Sequence, residues 1–117
     1  MTAISSLTLG CMSLGVDDGS KWNSGRFVPD KDTGIRWIRH AFELGVTHFD
    51  TAMGYGGGLS EEWLGEALEP LPRDEVLVTT KVNRPVDADE PHAFCATNLR
   101  RACEQSLASC GWIASTT

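Results

Sequence analysis

The chain's 117 residues make at most a single domain, long enough to bury an ordinary core. Sixteen acidic residues against ten basic ones give a net charge of −6, which argues against a nucleic-acid or anionic-membrane partner. No apolar run approaches the ~20 residues that span a bilayer, and the first fifteen residues carry no Lys, no Arg and no unbroken apolar run, so neither a membrane span nor a secretory leader is expected.

Leu7 to Met12 reads as a first strand running into a glycine-punctuated loop. The polar stretch from Val16 to Lys31 is long for a connection. Its Trp22 and Phe27 either line a pocket mouth or ride on a solvated excursion. A helix follows to Leu44, capped by Asp32 or Thr33, with Ile35, Ile38, Ala41 and Phe42 at helical spacing and Gly45 suited to the left-handed position beyond the last turn. Arg36, Arg39 and His40 fall on its solvent side.

Val46 to Asp50 alternates, with Val46, His48 and Asp50 on one face and Thr47 and Phe49 on the other. Phe49 belongs under helices, which turns Asp50 to the opposite face and makes His48 a buried, hydrogen-bonded filler one layer deeper. A turn from Ala52 to Gly58 holds the only tyrosine, Tyr55. Ser60 then suits the N-cap of a helix with Glu61 and Glu62 in its first turn. This helix buries Trp63, Leu64, Ala67 and Leu68, tolerates Gly65 through close approach to the sheet, and stops at Pro70 and Pro72.

Glu75 to Val82 is β-branched and forms a third strand, with Leu77, Thr79 and Lys81 on the face shared with Asp50. After a Pro- and Asp-containing loop, a third helix runs from about Ala93 to Ser109 and buries Leu99, Ala102, Cys103, Ser106 and Leu107. His92 belongs to the loop. Strict strand–helix alternation implies a parallel α/β sheet with right-handed crossovers. The cysteines (Cys11, Cys95, Cys103 and Cys110) lack C-x-x-C spacing and a nearby histidine pair, so reduced thiols in a cytoplasmic protein are expected.

An acid at a strand end with a phenol five residues on is either a catalytic arrangement or an ordinary strand–helix turn. The wording around it is more specific. FDTAMGYGGG, then SEEWLGEAL, then VLVTTKV resemble the corresponding phrases of the aldo-keto reductases, a likeness that covers roughly Leu7 to Leu107. The resemblance implies NADPH-dependent reduction of a small carbonyl substrate, an aldehyde or ketone, on a (β/α)8 barrel, of which this chain holds the first three strand–helix units. It also implies that Asp50, Tyr55 and Lys81 are three members of a catalytic tetrad and that Cys11, Met12 and Asp50 lie against the cofactor. The match at Cys11 and Met12 is partial, because the family often has Thr and an aromatic residue there. NADPH in preference to NADH rests on the resemblance alone.

The chemistry of these residue types fits that assignment. Hydride addition to a carbonyl needs an acid for the developing alkoxide. A tyrosine, with its ordinary pKa of ~10, serves better with an ammonium beside it, and a carboxylate keeps that ammonium charged and oriented.

The resemblance implies a fourth member, a histidine in a phrase such as V-D-x-I-D-Y-x-x-x-H on the next strand. Beyond Leu107 the chain instead reads ASCGWIASTT, and residues 108–117 lose the pattern abruptly. Permissible codons for Trp112 to Thr117, read one base earlier, spell Val-Asp-Arg-Ile-Asp-Tyr, so a frameshift-like tail is expected. With ~250 residues usual for a complete barrel, the chain is expected to be an N-terminal fragment, inactive by itself and self-associating through exposed sheet edges. Two rivals remain: a small α/β module whose Gly54–Gly58 loop holds an anion at a helix N-terminus, and a non-catalytic assembly piece. Against the first, the loop lacks a Gly-Lys-Ser/Thr phosphate motif, and Glu61 and Glu62 would repel phosphate.

Overall fold

A computed structural model describes residues 4–16, 28–87 and 92–112. Trp22, Phe27 and the tail from residue 113 onward lie outside the described residues. Three short strands, β1 (Thr8–Gly10), β2 (His48–Asp50) and β3 (Leu77–Thr79), form a parallel sheet in the order β1-β2-β3. Gly10 pairs with Asp50 and Asp50 with Thr79, so the C-terminal ends of all three strands lie level. The strands are shorter than the sequence pattern suggests, because regular pairing gives way early to single backbone bonds. Cys11 N–H donates to Asp50 O at 2.8 Å and Thr51 N–H to Thr79 O at 2.8 Å.

Helices α1 (Lys31–Glu43), α2 (Leu59–Leu68) and α3 (Ala96–Ser109) connect and follow the strands. The core lies on the face that carries Phe49, fully buried among Cys11, Leu14, Ile35, Ile38, Leu64, Ala67 and Leu68. The opposite face carries Thr8, His48, Leu77 and Thr79, none of them buried. Strands in sequential order, with one face covered and the other open, form an arc of a barrel; a doubly wound sheet would carry helices on both faces.

Several sequence expectations change. Asp30 caps α1, its carboxylate accepting from Thr33 N–H at 2.8 Å, in place of Asp32 or Thr33. Ser60 is not a cap: Gly58, at φ +104°, precedes α2, and Ser60 is buried inside its first turn. In α3 the buried stripe is Asn98, Ala102 and Ser106, while Leu99 is 40% exposed and Cys103 is exposed. Asn98 outranks Leu99 because it closes the preceding loop. Its Oδ1 accepts from Val86 N–H at 2.6 Å, and its Nδ2 donates to Ala93 O at 2.8 Å and Arg84 O at 3.1 Å.

Gly65 does permit a close approach, but to α3 and not to the sheet. A Cβ at this position would sit 2.7 Å from the carbonyl carbon of Cys110. Arg39 is also more than a solvent-facing charge, donating to Ala67 O at 3.1 Å and Glu66 O at 3.2 Å and so tying α1 to the end of α2. Lys31 adds a 2.7 Å ion pair with Glu66 between the same helices.

Candidate active site

The strand ends converge on Lys81. Alternation beyond β3 places Lys81 on the open face with Thr79 and Leu77, and Met53 N–H donates to Lys81 O at 3.2 Å, which fixes the backbone there. The chain leaving β2 turns through a short 3-10 segment, Tyr55–Gly58, in which Gly56 and Gly57 hold φ of +58° and +66°. Side chains beyond glycine are strained at such angles, so this run lets the chain reverse into α2 within a few residues of Asp50. Tyr55 is left at the rim.

Each proton of the Lys81 ammonium has an acceptor. Nζ lies 2.8 Å from Asp50 Oδ2, 2.8 Å from Thr51 O and 3.3 Å from Tyr55 Oη. It also stands 4.9 Å from the centroid of the Tyr55 ring. Burial by itself would pull the Lys81 pKa down, but hydrogen bonds to Asp50 and Tyr55, together with their charges, outweigh it and raise the value above 10.5. The amine is therefore an ammonium at neutral pH. Because Lys81 donates to Tyr55 Oη, the phenolic proton must point elsewhere. The arrangement is a phenol with a fixed positive charge behind it, and that charge is held by a carboxylate.

The structure thus brings Asp50, Tyr55 and Lys81 together. Cys11 and Met12 follow β1 at the same level. The Cys11 side chain is only 1% exposed and belongs to the core cluster, and Met12 is half-buried. Burial first, then the nearby Asp50 and Cys110, push the Cys11 thiol up to about 12, against a smaller opposing effect of Lys81. It is an apolar, unreactive group at neutral pH.

His48 forms a rung one layer beneath Asp50. Its Nδ1 is 2.9 Å from Thr8 Oγ1 and its Nε2 is 2.7 Å from Thr79 Oγ1, so the ring joins all three strands. It is hydrogen-bonded as expected but half-buried, because the face it occupies is open. His40 and His92 are exposed, on α1 and ahead of α3.

Sequence reasoning missed a second set of polar residues on the covered face. Ser60 Oγ donates to Cys11 O at 2.7 Å and lies 2.9 Å from Thr51 Oγ1, while Glu61 Oε1 accepts from Thr80 Oγ1 at 2.6 Å. The signal was in the alternation: Thr51 and Thr80 flank Asp50 and Lys81, so their hydroxyls face the helices and need buried partners.

The Aldo/keto reductase family model matches residues 6–112. An L-galactose dehydrogenase of Arabidopsis thaliana is 39% identical over 79 residues, which are 66% of this chain and 24% of that protein. An NADH-specific methylglyoxal reductase of Escherichia coli is 40% identical over 78 residues, 64% of this chain and 23% of that one. Among solved structures, an aldo-keto reductase from Klebsiella pneumoniae in complex with NADPH superposes with a TM-score of 0.69 at 28% identity, covering 93% of this chain and 32% of that one. The chain therefore spans about a quarter of the length of these curated relatives and about a third of that solved neighbour. Its three parallel strands and their helices match the first strand–helix units of aldo-keto reductase barrels. On a match that covers all but the ends of the sequence, the chain belongs to the aldo/keto reductase family.

Proposed function

We propose that these residues form the proton-delivery half of an NADPH-dependent carbonyl reductase site. The supporting observation is the convergence of Tyr55 Oη, the Lys81 ammonium and the Asp50 carboxylate at one rim of the sheet. The donor set suits the carbonyl end of such a site, since a phenol and an ammonium 3.3 Å apart can together meet one oxygen. When bound, NADPH would supply the hydride to the carbonyl carbon. Tyr55 then gives its phenolic proton to the carbonyl oxygen, yielding the alcohol. Lys81 stabilises the phenolate that remains, and Asp50 keeps Lys81 charged and aimed. By the family resemblance, the cofactor's phosphates fall to later strands.

We further propose that the 117 residues alone turn over carbonyl substrates negligibly and self-associate. Lys81 and Asp50 are 45% and 33% exposed on their side chains, so water screens the charges that should act on the reacting oxygen. Among the described residues β1 and β3 pair on one side only, which leaves edges for another copy.

The test follows NADPH oxidation with an aldehyde, both for the chain alone and for the chain joined to the later strands of a relative's barrel, with mass in solution measured alongside. The expected result is activity only in the completed barrel. A completed barrel whose turnover survives Tyr55→Phe would show that Tyr55 is not the proton donor, and turnover by the chain alone as a monomer would overturn the second proposal.

A further inference from the structure

Two adjacent residues in the first turn of α2 hold strand ends on the face opposite the site. The proton count fixes the direction of the first contact. Ser60 has one hydroxyl proton, and the Cys11 carbonyl, 2.7 Å away, can only accept it. The Thr51 hydroxyl must therefore donate to Ser60 across 2.9 Å. The next residue, Glu61, is 2% exposed, and its carboxylate accepts a hydrogen bond from the Thr80 hydroxyl at 2.6 Å. Ser60 therefore holds the ends of β1 and β2, and Glu61 holds the chain just beyond β3.

The residues held are the immediate neighbours of the site. Thr51 follows Asp50 and supplies the carbonyl that accepts from Lys81 at 2.8 Å. Thr80 precedes Lys81. Because alternate residues point to opposite faces, fixing Thr51 and Thr80 from behind fixes where Asp50 and Lys81 emerge in front. A buried carboxylate accepting from a neutral hydroxyl is an expensive element for packing alone. A Leu in its place would fill the volume but could not hold Thr80.

We propose that Ser60 and Glu61 are positioning residues which set the spacing of the β2 and β3 ends and so seat the Lys81 ammonium against Asp50, Thr51 O and Tyr55. The inference rests on the proton-delivery reading of the site and names residues that reading does not use. Glu61 acts through geometry: the groups that raise the Lys81 pKa are Asp50 and Tyr55, whereas the hydrogen bond that Glu61 accepts comes from Thr80.

The experiment uses the full chain labelled with 13C-lysine and follows the pH titration of the Lys81 Cε resonance, assigned with Lys81→Met. In the unmodified chain the midpoint should lie above the ordinary 10.5. Glu61→Leu, Thr80→Val and, for the other contact, Ser60→Ala should return it to the ordinary value, and Glu61→Gln, which keeps the acceptor oxygen, should preserve the raised one. A raised midpoint in folded Ser60→Ala removes Ser60 from the assignment. Asp30→Ala, which loosens the α1 cap, should leave the midpoint unmoved and so separates positioning from general destabilisation. If Glu61→Leu fails to fold, the near-isosteric Thr80→Val decides. A midpoint that stays raised in folded Thr80→Val overturns the inference and leaves the site reading intact, and an equal loss in Glu61→Gln overturns the geometric account. An ordinary midpoint in the unmodified chain overturns the pairing of Lys81, and the inference with it.

Discussion

Lys81 Nζ stands 2.8 Å from Asp50 Oδ2, a contact between residues 31 apart in sequence that exists only because β2 and β3 are adjacent and in register. Asp50→Asn should therefore lower the Lys81 titration midpoint. The sign follows from the raised folded value: the pair's contribution to stability is present below 10.5 and is lost as pH rises through the folded pKa. Since both groups are partly exposed, the stability change at neutral pH should stay under ~1 kcal/mol. A urea melt at pH 7 together with the lysine titration checks both statements.

Tyr55→Phe removes the proposed proton donor and leaves the ring in place. In a barrel completed with later strands, turnover should fall by roughly 10²–10⁴-fold, the usual share of general acid catalysis. Melting of the chain should change little, because Tyr55 is only half-buried and its hydroxyl sits on the open face. Steady-state NADPH oxidation and thermal melts of the same variant test the two halves.

The cysteines should react in an order set by burial. Cys103, exposed on α3, should be alkylated promptly at pH 8, whereas Cys11 and Cys110, 1% and 5% exposed, should resist until the chain unfolds. Burial pushes both buried thiols up to about 12 from an ordinary 9.0, with negative neighbours adding to it, Asp50 foremost for Cys11 and Glu61 for Cys110. The folded state therefore keeps these protons where the unfolded chain loses them, and stability should fall as pH rises from 9.0 to about 12. Cys11→Ala should flatten part of that decline. Mass mapping of alkylated sites and urea melts between pH 8 and pH 11 check this.

Gly65→Ala tests which helix the glycine serves. Helix propensity alone favours alanine by ~1 kcal/mol. The new Cβ would lie 2.7 Å from the Cys110 carbonyl carbon, and backbone cannot rotate aside as a side chain can. Overpacking of this kind costs ~1–3 kcal/mol, so a net destabilisation is expected. A gain in stability in a urea melt would show that α3 moves away freely.

Much of the site could be read before the fold was known. Asp50, Tyr55 and Lys81 stand in phrases whose order names them, and strand alternation put Asp50 and Lys81 on one face opposite Phe49. Ser60 and Glu61 were harder. In sequence a Ser followed by two acids at a helix start reads as a cap and a dipole partner, because capping rules are local. In the structure Gly58 occupies the cap position, and the two side chains turn inward to Thr51, Cys11 and Thr80. The α3 stripe failed for a similar reason. Leu99 fits the apolar pattern better than Asn98, but only Asn98 can satisfy the backbone of the loop that the helix covers.

By itself the sequence determined the alternation of strand and helix, the faces of the strands, and the identity of the acid, phenol and amine, because side-chain period and phrase order are properties of the chain read locally. The tertiary structure alone decided that three strand ends lie level, that one ammonium reaches three acceptors at once, and that the first turn of α2 holds those ends from behind. Such contacts join residues distant in sequence, and their distances are set by sheet register and helix packing, which no local pattern encodes.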